Sequence, residues 1–515
     1  MPRTQKSRLA WYSWILLAVA LLGVCGCVGP VRPVVYPPPH IGDEEQIKTQ
    51  QQIQELRKEI NDLKQLISTK KASQNKETPS KKARDQQNDA KKTDEKKEKS
   101  SKDKKTDEKK EKSKPKKDEI ELEKFEFQPT AKVTGRIHTD AVMATQSQRN
   151  KDTLGDLENA TGFRRARLAI TGTIGPNVKY IADFAFASGN VRFADMYLGV
   201  QKLPLLGEVR VGHFREPFSF EAQTSSNFFP FLERSAINSL DPARNWGVGL
   251  SRGSEDKRTL FQLGGFRTGS NSIGRDTTDQ GDWAVTTRFT RLLWYDALSD
   301  GRSLMHAGGA FSHRIPLDET VNISNVMGSG LLGRDEDAVL TPFVQDVIVP
   351  AFAQQLYNIE WAWVHGPFSM QIEWQATGID QKGGDSVFLH GGYVSVSYFL
   401  TGEHRAYNFS RGAFGRTKII SPFLCLNKKG IHYRGLGGWE LVTRYDLLDF
   451  RDPNIPNSED GQLVGSSLSQ WTVGTNWYLN DYTRVMFNYQ YIILDEPNVG
   501  YSVANLYSIR CQVAW

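Results

Sequence analysis

Residues 506–515 read LYSIRCQVAW. Tyr507, Ile509, Cys511, Val513 and Trp515 fall on one side of an extended chain, and Ser508, Arg510, Gln512 and Ala514 fall on the other. This is the period of two of a β-strand with one apolar and one polar face. Two architectures use such a strand. In a soluble sandwich the apolar face points to a core. In a transmembrane barrel it points to lipid, and the polar face lines water.

The chain upstream decides between them. DWAVTTRFT (282–290) sets Trp283, Val285, Thr287 and Phe289 against Ala284, Thr286, Arg288 and Thr290. YNIEWAWV (357–364), FSMQIEWQ (368–375) and WELVTRY (439–445) repeat the alternation, with aromatics at their ends and Glu360, Glu373, Glu440 and Arg444 on the polar side. From about residue 119 to the end, such segments alternate with clusters of Gly, Asn, Asp and Pro. A sandwich of this length needs several domains with linkers between them, and none is visible. A closed barrel satisfies every backbone group in lipid, and aromatic strand ends supply its interfacial girdles. The chain is therefore predicted to be all-β over 119–515, a transmembrane antiparallel barrel. At roughly ten residues per strand plus connections, that length allows 14 to 18 strands. An even number, about 16, returns both ends to the periplasm.

The first 118 residues differ in kind. Arg3, Lys6 and Arg8 precede the apolar run WILLAVALLGV, which is too short to span a bilayer comfortably. Residues 1–27 thus read as a signal segment, with Cys27 a candidate for lipidation. Residues 28–42 form a proline-rich linker. In 43–69, Ile53, Leu56, Ile60, Leu63 and Ile67 are spaced 3, 4, 3, 4, the seam of a short coiled coil. Residues 70–118 are a low-complexity charged linker in which KKTDEKKEKS occurs twice.

Lysine and arginine total 65 against 59 acidic residues. The basic surplus lies in residues 1–118, so the barrel part is slightly acidic. Four cysteines are too few for a disulfide framework. No HExxH or GxSxG motif is present. Neither an enzyme, a metal site nor a cofactor is expected, and an exported chain is not expected to meet nucleic acid.

GFRRARLAITGTIGPNVKYIADFAFASG (162–189), VRFADMYLGV (191–200), GEVRVGHFREPFSFEAQTSSNFFPFLERS (207–235), YFLTGEHRAYNFSRGAFGR (398–416) and GGWELVTRYDLLDF (437–450) resemble the phosphate-selective porin O/P family. The resemblance runs over roughly residues 130–515. It implies a 16-stranded, trimeric outer-membrane porin with loops folded inward. Some members select phosphate or polyphosphate, and others are general porins.

Alternation puts Arg165, Arg167, Arg210, Arg288, Arg444, Arg484 and Arg510 on polar faces. Arginine suits an anion path, because it stays charged and presents a fork of donors. Asp183, Asp195, Glu208, Glu360, Glu373 and Glu440 share those faces, so a wall of cross-strand ion pairs is the competing role. The long connection 214–245 carries Arg215, Arg234 and Arg244 with four acids and is a candidate constriction loop. The expected function is passive diffusion of small solutes, anions such as phosphate among them. Outer-membrane lipid surrounds the barrel, and the N-terminal region lies in the periplasm. The alternative is an envelope tether whose coiled coil and basic linker engage the cell wall.

Overall fold

The computed structural model describes residues 128–515 apart from 188, 270–281, 326–332, 335–338, 341–343, 424, 427–431, 434 and 457–463. The signal segment with Cys27, the proline-rich linker, the coiled coil and the charged linker lie outside the described residues.

Sixteen antiparallel strands close into one barrel. They are β1 (Lys132–Gln146), β2 (Ala160–Ile174), β3 (Val178–Ala185), β4 (Arg192–Leu203), β5 (Gly207–Arg215), β6 (Arg244–Gly253), β7 (Thr259–Arg267) and β8 (Trp283–Tyr295). The circuit continues through β9 (Ser303–Ile315), β10 (Val344–His365), β11 (Phe368–Gln381), β12 (Val387–Phe399), β13 (Gly438–Asp449), β14 (Ser467–Tyr478), β15 (Thr483–Glu496) and β16 (Gly500–Ala514). Each strand pairs with its neighbour in sequence, and β16 pairs with β1 from Arg136↔Ala514 to Gln146↔Ala504. At this seam Trp515 and Gly135 exchange backbone hydrogen bonds of 3.1 Å. The Trp515 ring lies where a side chain at 135 would be, so only glycine fits there.

The faces follow the sequence alternation, and the burial is inverted relative to a soluble protein. Outward residues such as Val133, Trp283, Val285, Phe289, Trp471, Tyr507, Ile509 and Trp515 are exposed. Inward residues such as Thr286, Arg288, Glu360, Glu373, Arg444, Asn488 and Arg510 are buried. An exposed apolar band of this extent marks a surface that meets something other than water.

The two ends of the barrel differ. At one end, which also holds the start of β1 and the end of β16, most connections are tight turns; between β10 and β11 only Gly366, at φ 58°, and Pro367 intervene. The exception there is residues 400–437. The other end carries longer loops, including residues 216–243 between β5 and β6.

The loop 216–243 and, of the turn-end connection, the part around residues 403–414 turn into the barrel. In 216–243 the helix Phe220–Gln223 receives the Glu373 carboxylate of β11: the backbone N–H groups of Phe220 and Glu221 donate to its two oxygens at 2.6 and 2.9 Å. Further along, the N–H of Leu232 donates to Asn488 (2.8 Å) and that of Ala236 to Asp446 (3.0 Å). The 3₁₀ helix Ala236–Leu240 then inserts Ile237 and Leu240 among inward apolar residues at the loop end of β11–β16, including Ile379, Leu389, Leu448, Leu468, Leu494 and Leu506. From the turn end, Arg405 pairs with Glu440, and Phe414 meets Phe220 edge to face at 4.8 Å. The interior beside β8–β16 is thus filled.

Candidate functional site

Along the inner wall of β1–β7 lies an open cavity of about 1070 Å³. It runs from Ala187 and Arg192 at the loop end to Ser254 and Lys257 at the turn end. The loop 216–243 forms its far side with Ala222–Ser226 and Arg234, and Phe409–Arg411 of the other inward segment reach it as well.

Twelve basic side chains line this cavity against three carboxylates, Asp183, Asp195 and Glu208. The carboxylates are all engaged. Arg244 Nε donates to Asp195 at 2.8 Å, Arg167 lies 3.6 Å from Asp183, and Glu208 sits 3.5 Å from Arg210 and 3.9 Å from Lys179. Arg210 is also flanked by the rings of Tyr197 and Phe214, each 5.4 Å from its guanidinium carbon, so aromatic faces hold part of its charge in place. Arg164 and Arg165 share Glu233 of the loop.

The other six cations form no ion pair within 4 Å among the described residues, although acids stand farther off: Asp183 near Arg136, Asp241 near Arg215 and Arg234, and Asp195 near Arg411. Arg136 donates to Ser226 (2.8 Å) and Ser225 (3.4 Å), and Arg234 to the carbonyls of Glu221 and Thr224. Arg192, Arg215, Lys257 and Arg411 make no side-chain bond to another described residue. Neutral partners fix a guanidinium without cancelling its charge, so the field in this space is strongly positive.

The filled side of the interior is built the other way. Arg510 Nε and Nη2 grip Asp140 at 2.7 and 2.6 Å, and Nη2 also reaches Glu233 at 2.8 Å. Arg444 Nε bonds Asp446 at 2.8 Å, and its remaining donors hold the carbonyls of Glu233 and Arg234. Arg288 is clamped to Glu360, and Arg314 to Glu216 at 2.9 and 3.0 Å. Arg484 bonds Gln512 and the Tyr478 hydroxyl, with no carboxylate. These side chains are buried and brace the inward loops against the wall.

The residues singled out from the sequence therefore fall into two places. Arg165, Arg167, Arg210, Arg215, Arg234 and Arg244 line the cavity. Arg288, Arg444, Arg484 and Arg510 are inward but fully buried, and none of the four is among its lining residues. The inward acids divide likewise: Asp183, Asp195 and Glu208 face the cavity, whereas Glu360, Glu373 and Glu440 are sealed behind the loops.

Six lining cations escaped the sequence reading. Arg136 and Lys179 sit on polar faces that the same alternation test would have flagged, whereas a register shift in the β3–β4 pairing turns Arg192 inward out of phase with Asp195 and Tyr197 of its own strand. Arg164 could not have been found that way. A bulge opposite His138 and Thr139 breaks the β1–β2 register, so Arg164 and Arg165 both turn inward although they are consecutive. Lys257 lies in a turn, and Arg411 arrives on a segment from the opposite end.

Comparison with known proteins gives the fold a family. Residues 131–515 match the family described as phosphate-selective porin O and P. The chain is similar to Porin O of Pseudomonas aeruginosa, 24% identical over 355 residues, covering 65% of this chain and 77% of that protein. It is also similar to an uncharacterized protein of Caulobacter vibrioides, 25% identical over 370 residues that cover 70% and 67%. Among solved structures, an anion-selective porin from Comamonas acidovorans superimposes with a TM-score of 0.47 at 12% identity, covering 75% of this chain and all of that one (100%). The chain belongs to the phosphate-selective porin O and P family: it is an outer-membrane porin, a channel protein.

Proposed function

We propose that the cavity beside β1–β7 is the diffusion path and that it favours small anions, phosphate among them. The observation that carries this is the ratio of twelve basic to three acidic lining side chains in a barrel part whose overall charge is slightly negative. In this reading Arg165, Arg167, Arg210, Arg215, Arg234 and Arg244 meet the solute, with Arg136, Arg192 and Arg411. Guanidinium forks without carboxylate partners can take the place of an anion's water shell. Arg444, Arg484 and Arg510 serve the wall and the constriction loop rather than the solute. Single-channel recordings of the purified protein test the proposal: chloride should carry the current, and added phosphate should reduce it by competing for the same cations. Undiminished chloride current at high phosphate would exclude phosphate as a solute that binds in the path.

The outward apolar band meets outer-membrane lipid over most of the circumference. β3, β5 and β7 have eight, nine and nine residues. At about 3.3 Å per residue and a tilt of roughly 40°, they rise only about 20–23 Å, short of the ~25 Å apolar band of such barrels. This low sector is the side on which a homotrimer forms. The start of β1 shares an end with the short turns, which favours a periplasmic N-terminal region, with the coiled coil of 43–69 in register with the trimer and the basic linker free to touch the cell wall. Cys27 remains the candidate lipid attachment point.

A further inference from the structure

We propose that Arg288 is a positioning residue that sets Arg411 on the solute path, although its place on the polar face of β8 suggests direct contact with anions. The inference rests on reading the β1–β7 cavity as that path.

Arg288 has no donor left for a solute. Nε and Nη2 bond the two oxygens of Glu360 at 3.2 and 2.6 Å. Nη1 reaches Gln262 Oε1 at 3.3 Å and the carbonyl of Arg411 at 2.8 Å, and Nη2 reaches the carbonyl of Gly412 at 2.7 Å. All five N–H groups of the guanidinium are engaged, and the residue is fully buried. Its two bonds to the inward segment are both to backbone carbonyls, so they fix where the tip sits and leave the tip side chain free.

That side chain is Arg411, which lines the cavity and makes no side-chain bond to another described residue. The same carboxylate anchors the segment a second time. His306 Nε2 lies 3.0 Å from Glu360 Oε1, and His306 Nδ1 lies 2.8 Å from the Tyr407 hydroxyl, four residues before Arg411. The tip is seated hard against the anchor: Gly412 has φ 57°, and a Cβ there would lie 2.8 Å from Thr290 Oγ1 and 3.2 Å from Arg288 Nη1. Only the forked, planar guanidinium can clamp Glu360 and two carbonyls together. Lysine would keep the charge and lose the fork.

The test compares reversal potentials of the full-length protein in a KCl gradient for the unmodified channel, Arg411→Gln, Arg288→Lys and the double variant. Arg411→Gln should lower the chloride-to-potassium permeability ratio roughly twofold, the effect of one charge several ångströms from the path. Arg288→Lys, with the charge conserved, should give the same fall, and the double variant should fall no further than either single. Gly412→Ala, which leaves every strand residue in place and pushes the tip off Thr290 and Arg288, should reproduce the fall if Arg288→Lys does not assemble. The proposal is overturned if Arg288→Lys and Gly412→Ala leave the ratio unchanged, if Arg411→Gln does, or if the losses from Arg411→Gln and Arg288→Lys multiply. Each shift is read against the unmodified channel. A channel with no anion preference of its own therefore counts against the reading of the cavity, and a missing shift counts against the role of Arg288.

Discussion

Arg510 and Arg215 both point into the same barrel. Arg510 is enclosed by Asp140, Glu233 and the carbonyl of Leu232, and its charge is cancelled where it stands. Arg215 lines the open cavity with no carboxylate bonded to it, and Asp241 is an acid in its neighbourhood. Around Arg510 a guanidinium serves as a brace that ties a loop to the wall. Around Arg215 it remains a source of field. The lumen is divided on this principle. The inward acids are concentrated on the braced side, where Asp140, Glu216, Glu360, Glu373, Glu440 and Asp446 are buried, and only Asp183, Asp195 and Glu208 line the open side, which keeps a surplus of positive charge. Net charge thus says little about a pore when opposite charges are sorted into separate compartments.

The largest expected effect lies on the braced side. Arg510→Met leaves Asp140 buried without its partner and should cost about 3–5 kcal/mol, read as a lowered urea midpoint for the folded barrel. Arg192→Gln on the open side should change that midpoint by less than about 0.5 kcal/mol. Equal losses would erase the distinction between the two sides. Next comes the contrast between outer and inner faces. Phe289→Arg places a charge on the outward band and should cost about 2–4 kcal/mol near mid-membrane, whereas Thr171→Arg, into the cavity, should cost little. Selectivity should respond in the opposite place: replacing Arg215, Arg234 and Arg244 together with Gln should lower the anion-to-cation ratio roughly fivefold, with a stability loss that comes from unpairing Asp195 and releasing the carbonyls of Glu221 and Thr224 and stays below that of Arg510→Met. An unchanged ratio would remove these three from the solute path. The smallest effect is one of screening. Raising KCl from about 0.1 M to about 1 M shortens the Debye length from about 10 Å to about 3 Å, so the anion preference should weaken without vanishing. A preference that grew with salt would contradict an origin in unpaired charge.

Much of the fold was legible because a barrel writes its two faces into every strand. The faces of 506–515, 282–290 and 357–364 lie as the alternation requires, and the even strand number followed from length and the shared end of the termini. The sorting of charge was not legible. Arg288 and Arg167 look alike in a period-two pattern, and only the packing of Glu360 and the segment tip against one, and of open space against the other, separates them. Local irregularity hid more: the bulge at Arg164 defeats alternation, and the approach of 400–437 from the turn end depends on contacts such as Arg405 with Glu440 and Arg416 with the carbonyl of Asp481, which no local signal announces.

The central claim is that unopposed cations on the β1–β7 side make this pore an anion channel. Its most direct test is the zero-current potential of the unmodified protein in a planar bilayer across a tenfold KCl gradient, with the concentrated side at ~0.1 M to limit screening. The sorted lumen predicts a potential of the sign set by chloride, well away from zero. A potential of the sign set by potassium would mean that the acids, and not the cations, govern the path.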